Sequence, residues 1–197
     1  EAERTESAPV IYINIDDSLG EKDKATRHIE VVDWHHDHSE STKSKPRYKN
    51  GFCYLVCTMR IGKQTATVDL RLYLREQTVR RLNRKREKTE RLHFCSKYRL
   101  ARTILQQLRP LLPPGWKVVV QFDSWYASAR LINYCRRQSW HVTCGLKHNR
   151  LLSDKRVDKH AQELQHKWYT KVGVTTTDGD KSIYFVRRHD GRLADVP

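Results

Sequence analysis

The sequence predicts an α/β protein with a mixed sheet, a three-strand meander followed by helix, strand, helix and strand. Two continuous apolar runs, VIYINI (10–15) and WKVVVQF (116–122), read as strands buried on both faces of a sheet. A third observation is the pair FCYLVCTMR (52–60) and TATVDLRLYL (65–74), separated by a glycine-containing turn, which reads as a β-hairpin.

Residues 1–8 (EAERTESA) are polar and read as a tail or linker ahead of the first strand. Residues 16–51 are charged and rich in His, Ser and Thr. A stretch of that length is long for a structureless loop, so part of it is expected to pair at a sheet edge or fold over a functional face. In the second hairpin strand Val68, Leu70, Leu72 and Leu74 alternate with Asp69, Arg71 and Tyr73, which makes one face wet.

The segment 75–91 carries Arg80, Arg81, Arg84, Lys85, Arg86, Lys88 and Arg91, either a solvated face or a polyanion contact. Ser96 is a plausible N-cap for a helix that places Leu100, Ala101, Ile104, Leu105 and Leu108 on one stripe and ends at Pro110. After the strand 116–122 a second helix is expected from Trp125 to Gln138, with Ser124 as its cap and Trp125, Ala129 and Ile132 inward. SWHVTCGLKHNR (139–150) reads as a strand running into a basic tip, and 170–188 as a hairpin across TDGD. The expected division is a tail (1–8), a core (9–150) and a further, β-rich segment (151–197).

The 197 residues hold 38 Lys and Arg against 23 Asp and Glu, a formal net charge of +15. Such a charge repels itself unless a polyanion is at hand, and nucleic acid is the commonest one. The five cysteines, Cys53, Cys57, Cys95, Cys135 and Cys144, form no CxxC and are scattered through apolar segments. They read as small buried residues of a reducing compartment, not as a disulfide framework or zinc site. With no membrane-length apolar run and no secretory leader, a cytoplasmic location is expected.

Both continuous apolar strands run into aspartate and serine: INIDDS, with Asp16 and Asp17, and QFDS, with Asp123. If the strands are parallel neighbours, Asp16 or Asp17 meets Asp123 at their carboxyl ends, where open α/β sheets bind ligands. Neighbouring carboxylates repel, and a divalent cation such as Mg²⁺ relieves the conflict. Two such ions suit phosphodiester cleavage. The competing reading is that each aspartate only caps a turn.

INIDDSLGEK and FDSWYASARLINYCRRQSWHVTCGLKHNR, with the element order between them, resemble the DDE transposases of bacterial insertion sequences over residues 9–150. The resemblance implies an RNase H-like core, 3′-end hydrolysis and strand transfer with Mg²⁺ or Mn²⁺, double-stranded DNA as partner at the transposon ends and target, a homodimer, and a bacterial, nucleoid-associated setting. It makes Asp17 the first catalytic and metal-binding acid, with Asp16 as the fallback, and Asp123 the second. The third acid of that family, a glutamate, has no counterpart here: Glu163, the only glutamate after Asp123, stands too early and among the wrong neighbours. Residues 151–197 are therefore expected to begin an insertion, and this chain alone to be inactive. An RNase H-like nuclease or resolvase, or a non-catalytic DNA-binding remnant, remain as alternatives.

Lys147 and Arg150, beyond the last core strand, and Arg80, Arg81, Arg84 and Lys85 are candidate DNA contacts. His35, His36, Asp37 and His38 form a polar cluster that reads as a loop or edge near substrate, without the distant third ligand a zinc site needs. Trp125, Tyr126 and Trp140 adjoin the candidate site, either as core or as surfaces for unpaired bases.

Overall fold

A computed structural model describes residues 9–37, 40–42, 44–163, 169–176, 179–186 and 193. Its chain packs as two units, residues 1–144 and 145–197. The expected tail, 1–8, and His38 lie outside the described residues.

The first unit is a mixed sheet. Strand β1 (Val10–Glu21) is central, antiparallel to β3 (Tyr48–Ile61) on one side and parallel to β5 (Lys117–Phe122) on the other. Strand β6 (His141–Cys144) adds to β5 in parallel. On the far side of β3, β2 (Asp33–His36) and β4 (Gln64–Tyr73) share one edge: β2 pairs with Tyr48–Gly51 and β4 with Cys53–Ile61. The order β4–β3–β1–β5–β6 is that of an RNase H-like sheet. β2 is the edge pairing expected within 16–51. The β3–β4 hairpin closes on Gly62, whose φ of 57° suits a two-residue turn.

Helix α1 (Glu76–Asn83) follows β4; α2 (Lys97–Leu108) and α3 (Ala129–Arg137) link β4 to β5 and β5 to β6. One face of the sheet supplies Ile11, Ile13 and Ile15 from β1, Leu55 and Cys57 from β3, and Val118, Val120 and Phe122 from β5. The apolar stripe of α2, Ala101, Ile104, Leu105 and Leu108, is buried with them, and so are Leu131, Ile132 and Cys135 of α3. The expected Ser96 cap is present: its hydroxyl accepts from Arg99 N at 3.3 Å. All five cysteines are free, with Cys53, Cys57 and Cys135 buried.

Three expectations are corrected. β1 does not stop at Ile15 but runs on to Glu21, because β3 is longer than β5 and keeps satisfying its backbone groups as far as Glu21↔Gly51. The helix expected from Trp125 begins at Ala129. Asp123 takes the N–H groups of Trp125 and Tyr126 into a turn, and Ser128, not Ser124, caps the helix through Leu131 N. Trp125 is accordingly exposed and Tyr126 fully buried. In β4 the exposed face is the leucine one, with Val68, Leu70 and Leu72 outward. Asp69, Arg71 and Tyr73 turn to the helix side, where Arg71 bonds Asp69 and Gln107 of α2.

The second unit contains β7 (Leu151–Leu152) paired with β8 (Lys155–Arg156), helix α4 (Val157–Glu163), and the expected hairpin, β9 (Thr170–Thr175) with β10 (Lys181–Val186). No described helix is long and apolar enough to cross a membrane.

Candidate active site

The last rung between the parallel strands is Ile15↔Phe122. Asp16 and Asp123 are the next residues along each strand, and Asp17 follows on the helix-covered side that Ile11, Ile13 and Ile15 define. β1 at this point is still held by β3, through Asp16↔Val56 and Asp17↔Leu55. The parallel-neighbour geometry expected from the two apolar runs is thus present, and the acids stand where one strand outlasts the other.

Asp17 is the most heavily held acid of the group. Its Oδ2 receives Lys97 Nζ at 2.6 Å and lies 3.6 Å from Cys53 Sγ; its Oδ1 accepts from the Tyr126 hydroxyl at 2.7 Å. Burial pushes the carboxyl up, but hydrogen bonds from Lys97 and Tyr126 outweigh it and hold it below the usual range. Burial likewise opposes the charge on Lys97, and Asp17 more than restores it, so its ammonium titrates above the ordinary value. Burial and then the neighbouring Asp17 carboxylate push the Tyr126 phenol far up, fixing it as a donor.

Asp123 is exposed, and its Oδ1 accepts from Trp125 N at 2.9 Å and Tyr126 N at 3.2 Å. Tyr126 therefore ties the two acids together, its backbone on Asp123 and its hydroxyl on Asp17. Asp16 is exposed, and its Oδ1 accepts from the Asp17 N–H at 2.8 Å.

A cleft of about 600 Å³ opens over Asp17, walled by His35, Cys53, Tyr73, Arg75, Lys97 and Trp125, among others. Trp125 stacks on Tyr98 with centroids 6.3 Å apart, and Tyr98 meets Tyr126 edge-on at 6.1 Å. Lys97 Nζ also lies 5.2 Å from the Tyr73 ring centroid. His35 stands on β2 with Nε2 buried and without a hydrogen-bond partner among the described residues, and burial followed by the Arg75 charge lowers its pKa.

The donor set suits a hard divalent cation. Among the described residues Asp16 and Asp123 each keep one carboxylate oxygen without a hydrogen bond or ion pair, at adjoining positions. At Asp17 a cation, the Lys97 ammonium, already faces Oδ2. Among the described residues no group of three or more His, Cys, Asp and Glu side chains is arranged to hold a metal. In the HHDH cluster Asp37 is buried and paired with Lys49 at 2.8 Å.

The basic candidates are placed as follows. Arg80 pairs with Glu76 at 2.6 Å, and Arg81 donates to the carbonyls of Glu30 and Val32, tying α1 to the segment before β2. Arg84 and Lys85 follow at the end of α1. Lys147, Arg150 and Glu163 belong to the second unit, where Glu163 is paired with Lys155. Trp140 meets Tyr134 edge-on within the first unit.

Sequence reasoning missed Lys97, Cys53 and the structural use of Tyr126. For Lys97 a signal was available: it occupies the first position of a helix capped by Ser96, the end where the macrodipole disfavours a cation. A lysine there points to a nearby carboxylate.

A family model described as DDE superfamily endonuclease matches residues 2–171. No curated protein sequence matches the chain. Among solved structures, the chain is similar to one described as the cryo-EM structure of piggyBac transposase synaptic complex with hairpin DNA. The identity is 14%, with 87% of this chain and 32% of that chain covered, at a TM-score of 0.40.

Proposed function

The chain belongs to the DDE superfamily endonucleases, and we propose that it carries the catalytic core of a DNA transposase of the insertion-sequence type. Its chemistry would be metal-dependent cleavage of double-stranded DNA at the element ends, followed by strand transfer into a target. The observation that carries this reading is the tie made by Tyr126 between Asp17 and Asp123 at the ends of adjacent parallel strands. The net charge of +15 supports a polyanionic substrate.

In this reading Asp17 and Asp123, with Asp16 beside them, would hold Mg²⁺ or Mn²⁺. When bound, such an ion polarises a phosphoryl oxygen and lowers the pKa of its water. The protein's own part is positioning. The N–H groups of Trp125 and Tyr126 fix one oxygen of Asp123, and the Tyr126 hydroxyl and Lys97 fix the rotamer of Asp17. Lys97 and the Tyr126 hydroxyl hold Asp17 in its ionised form. Lys147, Arg150, Arg84 and Lys85 would add phosphate contacts, and a homodimer would bring two element ends together. A bacterial cytoplasm with its nucleoid is the proposed setting.

Titration calorimetry with Mn²⁺ on the wild type and on Asp16→Asn, Asp17→Asn and Asp123→Asn tests the site. The reading expects Asp123→Asn and at least one of the other two to lose most of the binding heat. Equal binding by all four proteins would remove it.

A further inference from the structure

Helices α2 and α3 start beside one another. Each opens on a serine cap, Ser96 accepting from Arg99 N and Ser128 from Leu131 N, both at 3.3 Å. Between the two starts lies a cleft of about 400 Å³, walled by Ser96, Tyr98, Arg99, Arg102, Ser128 and Arg130, with no carboxylate among the described residues that line it.

Three guanidinium groups therefore converge on one cleft. Among the described residues none of them has an ion pair or a side-chain hydrogen bond, whereas Arg71, Arg80, Arg86 and Arg156 are each paired with a carboxylate. Arg99 and Arg130 stand in the first turns of their helices, where the macrodipole disfavours a cation. Lys97 shares that disadvantage and is compensated by Asp17 at 2.6 Å. Among the described residues Arg99 and Arg130 have no such anion, and Arg102 is half-buried without one.

We propose that this cleft binds a phosphate of a DNA backbone. Guanidinium forks match phosphate oxygens in pairs, and the positive ends of the two helix dipoles add to the same field. Ser96 and Tyr98 wall both this cleft and the one over Asp17. A strand whose reacting phosphate sits over the acids thus continues past Tyr98 into the arginine cleft. The inference rests on the proposal that the chain acts on DNA, and it assigns phosphate contacts to Arg99, Arg102 and Arg130.

The test is a fluorescence-anisotropy titration of a labelled DNA duplex across a salt series. It compares the wild type with Arg102→Gln, Arg130→Gln and the double variant Arg99→Gln/Arg130→Gln, with Arg130→Glu as a stronger perturbation. Each arginine removed is expected to make the slope of log affinity against log salt shallower by roughly one. Melting temperature and the Mn²⁺ isotherm should stay at wild-type values. An unchanged slope in the double variant overturns the proposal. So does binding of inorganic phosphate that is lost in the variants while DNA affinity and slope are not. Mn²⁺ calorimetry on the same proteins separates the two ideas: a wild-type protein that binds no Mn²⁺ yet shows the slope change loses the proposed metal site and keeps the phosphate cleft.

Discussion

Lys97 Nζ stands 2.6 Å from Asp17 Oδ2, eighty residues apart in sequence, and both side chains are about three-quarters buried. The contact joins the first residue of α2 to the strand that carries the candidate acids. It answers two electrostatic problems at once: a cation at the positive end of a helix, and a carboxylate withdrawn from water.

Replacing Lys97 by Met is expected to destabilise the protein by about 1–3 kcal/mol, between the values for exposed and fully buried pairs, because Asp17 keeps its burial and loses its cation. Urea denaturation of Lys97→Met, Asp17→Asn and the double variant measures the coupling. Additive losses would mean that the pair contributes nothing of its own.

Tyr126→Phe keeps a fully buried ring and removes only the hydroxyl that donates to Asp17 at 2.7 Å. A hydrogen bond to an ionised group contributes about 1.5–3 kcal/mol, so the midpoint of thermal unfolding should drop by several degrees. If the Asp17 rotamer depends on that hydroxyl, Mn²⁺ affinity will change as well, which calorimetry reads directly.

The pair also sets a pH window. Asp17 titrates below its ordinary value of 3.8 in the fold, so its contribution is complete above that value and disappears as pH falls through the lower folded one. Lys97 titrates above its ordinary 10.5, so its contribution is complete below that value and disappears as pH rises through the higher folded one. The stability gap between the wild type and Lys97→Met should be flat from about pH 5 to about pH 9 and should narrow in acid and in strong base. A gap that widens in acid would contradict the assignment.

Gly51 sits where β1, β2 and β3 meet, paired with Glu21 on one side and Asp33 on the other. A methyl group there would stand 2.4 Å from the Gly20 carbonyl oxygen, a backbone atom that cannot move without separating β1 from β3. Gly51→Ala is expected to cost about 1–3 kcal/mol and to speed amide exchange at the end of β1. Hydrogen exchange indistinguishable from wild type would show that the strands have room.

Leu70 and Leu72 are 59% and 44% exposed. Substituting either by Thr should leave stability within about 0.5 kcal/mol of wild type, unlike Leu105→Ala in the buried stripe of α2, where about 2–5 kcal/mol is expected. Equal losses at Leu70 and Leu105 would put the leucine face of β4 in a core.

Much of the scaffold was legible from local pattern. VIYINI and WKVVVQF are dominated by β-branched and other apolar residues, which marked them as central strands, and the Ser96 cap with its 3–4 spacing fixed α2. The end of β1 was not legible, because it depends on how far β3 accompanies it and not on β1's own composition. The start of α3 was not legible either: Ser124 and Ser128 are equally good caps, and the choice fell to Asp123, whose oxygen holds the intervening turn.

The sequence alone determined that two apolar strands would each deliver an aspartate to the rim of a sheet, in a chain positive enough to need an anionic partner. Tertiary structure decided which strands are neighbours, which β4 face turns outward, and that Lys97 and Tyr126 converge on Asp17. Periodicity is a property of a few consecutive residues. Contacts between residues 17, 97 and 126 exist only once the sheet and helices have packed, and a side chain's partner depends on that packing.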